Sequence, residues 1–144
     1  MEIFEAIRRD HAKQRLLLKI LVETSGDSYS RKEFYSELKK SLVDHAVAEE
    51  RYFYSPLMQS DKTIEQSRHG IAEHHEIDEL IEKLDETDMS SSAWLHYMKA
   101  LKKLVEHHLA EEEREVFQQA GKVLSDKQKE ALADDYVDEM NTSH

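Results

Sequence analysis

His45-Ala46-Val47-Ala48-Glu49-Glu50-Arg51 has a counterpart further along the chain in His108-Leu109-Ala110-Glu111-Glu112-Glu113-Arg114. Each stretch sets a glutamate four residues after a histidine and follows it with Glu-Arg, and the two lie 63 residues apart. In a helix four residues is just over one turn, so the imidazole and the carboxylate leave the same face. That is what one helix contributes to a metal site built from histidines and carboxylates.

The residues around both stretches are helical in spacing. Before the first, Phe34, Leu38 and Leu42 step by three or four into His45 and Glu49, and Phe53 continues the stripe. Before the second, Tyr97, Leu101 and Val105 lead into His108 and Glu112, and Val116 follows. Both polar pairs therefore sit within an apolar stripe and not on a wet face, which is the informative placement. The same shift of 63 lays His11 on His74, Leu17 on Leu80, Leu18 on Ile81 and Leu21 on Leu84. Each of the early histidines follows an acid, Asp10 or Glu73. The chain reads as a duplicated helical hairpin, each copy carrying a histidine and then a His/Glu pair.

Helix signals bound these runs. Residues 2–24 form a first helix, broken by Ser25-Gly26-Asp27-Ser28. Ser30 with Glu33 is a capping box for a second helix running to about Met58, with Ser55-Pro56 disturbing its last turn. Ser60-Asp61 opens a third, about 61–87, and Ser90-Ser91-Ser92 a fourth, about 91–120, which Gly121 ends. Ser125 with Gln128 caps a short fifth helix, about 125–140. Short connections make neighbours antiparallel. The expected fold is all-α: an up-down-up-down four-helix bundle over about 2–120 with a short C-terminal helix, all one domain over 1–144.

Heights agree with register. His11 lies about 13 residues, or about 20 Å, from the end of its helix, and His45 about 15 residues, or about 22 Å, from the start of the next. Antiparallel packing brings them level, and His74 and His108 close in the same way. Four imidazoles and two carboxylates then meet in one layer of the core, at a cost of several kcal/mol if left unpaired. A dinuclear metal centre offsets that cost. With Glu49 and Glu112 both bridging, each metal gains two histidines and two carboxylate oxygens, and a solvent-derived oxo or hydroxo bridge adds a fifth ligand. Nitrogen and oxygen donors without sulfur make iron the first choice of metal, ahead of manganese and zinc.

Composition excludes other classes. The 144 residues include no cysteine, so disulfides, thiolate metal sites and cysteine nucleophiles are out. Only three glycines and one proline are present, too few for a loop-rich or many-stranded fold. A formal net charge of −11 speaks against nucleic acid or an anionic membrane surface as partner. No run approaches the roughly 18 apolar residues of a membrane helix, and nothing at the amino terminus reads as an export signal. A cytoplasmic protein is expected.

The order His11, His45-x-x-x-Glu49, His74, His108-x-x-x-Glu112 resembles the hemerythrin-like, or HHE cation-binding, domain. Asp10-His11, Glu73-His74 and His107-His108 leading into Glu111-Glu112-Glu113 and Phe117 carry the match, over about residues 5–120. The resemblance implies a non-haem di-iron centre in a four-helix bundle, with His11, His45, Glu49, His74, His108 and Glu112 as metal ligands. It departs from the oxygen-carrying hemerythrins at one place. They set two histidines four apart on the third helix, and here the position four before His74 is Gly70. His69 is a candidate replacement, though five residues from His74 turns it away by about 140°. Those carriers also space the fourth-helix histidine and carboxylate by five, which would choose His107 with Glu112; the apolar stripe and the repeat choose His108.

His75, His96 and His144 fall off the stripes and are expected in solvent, while Trp94 and Met98 are expected in the core. Tyr52 and Tyr54 flank the first motif, either as aromatic packing or as donors to a bound ligand. Three functions follow from such a site. It can take up O2 or a related small molecule such as NO for sensing, storage or buffering. It can turn over peroxide as a peroxidase- or catalase-like enzyme. It can store iron, or hold a structural metal.

Overall fold

The computed structural model describes residues 1–142; His144, expected in solvent, lies outside them. The chain is helical throughout, with no strand among the described residues. Helix α1 spans Ile3–Leu21. Helix α2 (Tyr29–Glu49) runs on through a π-helical turn, Glu50–Tyr54, into a short α-helical end, Ser55–Leu57. Helix α3 spans Ile64–Glu86. Helix α4 (Ser92–Glu111) is likewise continued by a π-helical turn, Glu112–Val116, and by Phe117–Val123. Helix α5 spans Asp126–Thr142.

Boundaries differ from expectation at the end of α1, which stops at Leu21 and not at 24, and at three places with a local reason. Ser28, not Ser30, caps α2, its hydroxyl accepting the Arg31 N–H at 3.2 Å. The third helix starts at Ile64 because residues 60–63 turn first, held by the Thr63 hydroxyl donating to the Leu57 carbonyl at 2.5 Å. Gly121 continues its helix, and the chain leaves only at Leu124, whose backbone is extended. The reciprocal cap of Ser125 and Gln128 is present, at 2.8 and 3.1 Å.

Two apolar clusters lie on either side of a polar layer. One gathers Leu18, Leu38, Ile81, Trp94, Met98 and Leu101 among others. The second gathers Ile3, Ile7, Phe53, Tyr54, Phe117 and Tyr136 among others. Helix α1 passes from the second cluster through His11 to the first, and α2 passes from the first through His45 and Glu49 to the second. Helices α3 and α4 repeat that opposition around His74 and around His108 with Glu112. Each fully buried Leu or Phe contributes about 1.5–3 kcal/mol. The two clusters together can therefore carry a polar layer that would not be stable by itself. Helix α5 packs chiefly on α1 and α2, covering the first hairpin.

Candidate metal centre

The helical stripes deliver six side chains into the layer between the clusters. His11, His45, Glu49, His74, His108 and Glu112 are all buried. Directly after each His-x-x-x-Glu pair the helix widens: the Ser55 N–H bonds the Glu50 carbonyl and the Phe117 N–H bonds the Glu112 carbonyl, both five residues back. Such π turns are uncommon and gather at functional sites, where the extra residue re-aims the side chains beyond it.

The side-chain donors converge in two groups. His11, His45, Glu49 and Glu112 each offer an atom within 4.8 Å of the others, and so do Glu49, His74 and His108. Glu49 belongs to both. Its Oε2 lies 3.5 Å from His45 Nε2, while its Oε1 lies 3.0 Å from His74 Nε2 and 3.9 Å from His108 Nε2. Across the layer, His11 Nε2 lies 3.1 Å from Glu112 Oε1.

The opposite edge of every imidazole is anchored. His11 Nδ1 meets Glu113 at 2.5 Å, His74 Nδ1 meets Glu50 at 2.8 Å and His108 Nδ1 meets Glu73 at 2.7 Å. His45 Nδ1 meets Asp10 at 3.3 Å and also the Tyr136 hydroxyl, which donates to Asp10. The pattern follows the 63-residue repeat, since Asp10 and Glu73 are equivalent, as are Glu50 and Glu113. A carboxylate on Nδ1 places the proton there and leaves the Nε2 lone pair facing inward.

Those inward atoms fit cations. All four Nε2 atoms, both Glu49 oxygens and Glu112 Oε1 are buried without a hydrogen-bond partner. Leaving so many polar atoms unsatisfied in a folded core is costly, and a metal set among them removes the cost. The charges are arranged for it. Burial pulls the His45 imidazole down, but Glu49 and Asp10 outweigh burial and push it up to about 10. Burial raises the Glu49 carboxyl, yet His45 holds it well below its usual value, whereas burial and Glu49 itself push Glu112 up. The His11 hydrogen bond, working against burial and helped by Arg15, holds Glu113 down at about 2. Neutral imidazoles ligate metal, so these protons must leave before a cation enters.

The hemerythrin HHE cation binding domain matches residues 2–120. The chain belongs to the hemerythrin HHE cation-binding family. Its fold is that of a hemerythrin HHE cation binding domain-containing protein from Mycobacterium kansasii, with a TM-score of 0.88 at 23% identity over 99% of this chain and 87% of that one. A curated relative from Nostoc sp., named DNA nickase, is 28% identical over 136 residues. The match takes in 94% of this chain but only 38% of the Nostoc protein.

Within this HHE domain the two histidine pairs have different surroundings, and Gly70 is the reason. A Cβ at Gly70 would lie 2.4 Å from both Cζ and the hydroxyl of Tyr54, so the Tyr54 ring fills the space beside the bare backbone. From there the hydroxyl donates to Glu112 Oε2, the oxygen expected to serve as the second half of a bridge. Burial, with Glu112 and Glu49 nearby, keeps that phenol protonated. The repeat places Phe117 opposite Tyr54 and Ile7 opposite Gly70. Phe117 stacks parallel to His11 at 6.3 Å, an apolar neighbour where the other pair has a hydroxyl. Gly70 stood out in the sequence only as the position where the oxygen carriers set a histidine; its packing against Tyr54 was not legible.

The rival histidines take other positions. His108 is buried with Nε2 inward, while His107 is 63% exposed and faces Glu111 at 3.1 Å. His69 is 56% exposed and also faces Glu111, at 3.0 Å. His75 and His96 are exposed, and Trp94 and Met98 are buried. Sequence reasoning missed the anchoring roles of Glu50, Glu113 and Tyr136.

Glu50→Ala removes the carboxylate from His74 Nδ1 while leaving every inward donor in place. Metal affinity should fall by about 10–100-fold, measured by competition with a chelator. Unchanged affinity would mean that the outer carboxylates do not tune the centre.

Proposed function

We propose that this chain is a cytoplasmic non-haem di-iron protein that takes up O2, or a related small molecule such as NO or peroxide, for sensing, storage or buffering. In this reading the fold is an up-down-up-down four-helix bundle with the C-terminal helix laid against it, acting as one domain over 1–144. His11 and His45 would hold one iron and His74 and His108 the other, with Glu49 and Glu112 shared between the two. The observation that carries the reading is Glu49, whose two unpartnered oxygens face opposite histidine pairs. A donor set of nitrogen and oxygen suits iron ahead of manganese or zinc.

When bound, the irons supply redox electrons and an open position for a small ligand. The chain's own contribution is shape and protons. Beside His45, His74 and His108 lies a cavity of about 10 Å³ walled by Leu42, Ile77 and Val105. It has room for about one water-sized molecule, which supports a diatomic or peroxide and not a larger substrate. The Tyr54 hydroxyl bonds Glu112, one of the six inward side chains, and it favours a second reading, peroxidase- or catalase-like turnover, in which it donates a proton. Iron storage is the remaining alternative.

A formal net charge of −11 repels a phosphate backbone, so the reading carries no nucleic-acid partner. This chain matches only 38% of the Nostoc protein, so the activity in that protein's name is not carried over to it. No described helix is long and apolar enough to cross a membrane.

The test is iron content with an absorption spectrum of protein from iron-supplied cells, before and after anaerobic reduction and return to air. About two irons per chain with near-ultraviolet bands that bleach and recover are expected. Sustained consumption of added peroxide would select the enzyme, and inert iron would select storage. A chain that holds no iron would end all three.

A further inference from the structure

Beside the six inward side chains, α3 and α4 carry two further His-x-x-x-Glu pairs, His69 with Glu73, which ends one position before His74, and His107 with Glu111, one position before His108 and Glu112. One residue is about 100° of helix. His107 and Glu111 are thereby turned outward, where His69 also faces Glu111, while Glu73 stays buried beside His108. We propose that His69, Glu73 and Glu111, with His107 behind Glu111, form an entry site where a divalent cation is captured from solvent and passed to the buried centre. The proposal rests on the dimetal reading of that centre.

Three observations support it. First, His69, Glu73 and Glu111 each offer a ligand atom within 4.8 Å of the others. His69 Nε2 lies 3.0 Å from Glu111 Oε1 and 3.6 Å from Glu73 Oε2, and His107 Nε2 lies 3.1 Å from Glu111 Oε2. The set grades from exposed His69 through half-buried Glu111 to buried Glu73, with mixed nitrogen and oxygen donors. It suits a weakly held cation that keeps part of its water shell.

Second, the cluster touches the centre. Glu73 turns Oε2 to His69 while its Oε1 accepts from His108 Nδ1 at 2.7 Å. An open groove of about 280 Å³ runs outside, lined by His69, Glu111, Glu65 and Glu115. A cavity of about 10 Å³ lies inside, lined by His69, Glu73 and Glu111 at one end and Tyr54, His108 and Glu112 at the other. Gln66 borders both spaces, and its Oε1 is buried without a hydrogen-bond partner, a neutral oxygen donor between the two.

Third, the other half of the repeat lacks the cluster. The positions 63 residues earlier are Ala6 for His69, Ala48 for Glu111 and Asp44 for His107. There Tyr136 of α5 covers Asp10, the counterpart of Glu73. A structural requirement of the fold would appear in both halves. A way in needs only one.

The experiment uses the full chain stripped of metal and mixed anaerobically with ferrous ion, quenched at intervals with a chelator that counts protected iron. His69→Ala with Glu111→Ala should reach the same final iron content as the wild type, at a rate lower by about 10-fold or more. Glu65→Gln with Glu115→Gln removes two charges from the same groove without touching the ligands, and should slow uptake far less. His69→Asp, which keeps a ligand there, should load faster than His69→Ala. Equal rates in the double alanine variant and the wild type, or equal slowing in the Glu65/Glu115 control, would overturn the entry site and leave the dimetal centre intact. A wild-type chain that protects no iron would remove the centre, and the entry site with it.

Discussion

Glu49→Ala is expected to empty both metal positions at once. Glu49 is the one side chain common to the two buried donor groups, and each of its oxygens faces a different histidine pair. Its loss takes a ligand from each metal and leaves four inward imidazoles with one remaining carboxylate, Glu112, between them. A ligand present at 100–1,000 times its Kd stabilises the folded state by about 2.7–4.1 kcal/mol. For a chain of this length each kcal/mol moves the Tm by about 2–4 °C, so a fall of roughly 10 °C should accompany the loss of iron. Iron per chain and thermal melts, with and without chelator, check this, and most of the difference should vanish once the wild type is stripped. A Glu49→Ala protein with its full complement of iron would end the shared-ligand assignment.

The second large effect is expected at Gly70. Alanine in a helix is ordinarily worth about 1 kcal/mol over glycine. At Gly70 the added Cβ meets the Tyr54 ring at 2.4 Å, and that ring is fully buried between Phe53 and His74. Overpacking costs about 1–3 kcal/mol. The Tyr54 hydroxyl also loses its bond to the Glu112 carboxylate, about 1.5–3 kcal/mol for a charged partner. Gly70→Ala should therefore destabilise by about 2–4 kcal/mol overall and disturb iron beside His74. Gly121 is the internal control, since it is helical and a Cβ there meets nothing within 4 Å. Gly121→Ala should stabilise by up to about 1 kcal/mol. Urea melts of the two variants should move in opposite directions; a shift of the same sign would mean that Tyr54 does not sit against Gly70.

Much of the candidate site was legible because helical period is a local property. Stripes of three and four residues place His45, Glu49, His108 and Glu112 among apolar neighbours whatever the helices pack against. The 63-residue repeat then adds His11 and His74. Helix boundaries were less legible, as at Ser28 and Gly121, because several adjacent residues can each cap or stop a helix.

Partnerships across helices were not legible. Asp10 precedes His11 in the chain yet supports His45, and Glu113 supports His11 from the far half. Glu50 does the same for His74. Tyr136 reaches the site only because α5 folds back over α1 and α2. Tyr54 reaches Glu112 from the last position of a π turn, which no residue preference announces.

The sequence by itself determined which side chains face inward and that they come in two equivalent sets, since both follow from spacing along a single helix. The tertiary structure decided which carboxylate steadies which imidazole, which pair has the phenol, and that His69 and His107 are exposed and face Glu111 and not the core. Those depend on distances between helices, which are fixed by how whole side chains fill the space between them.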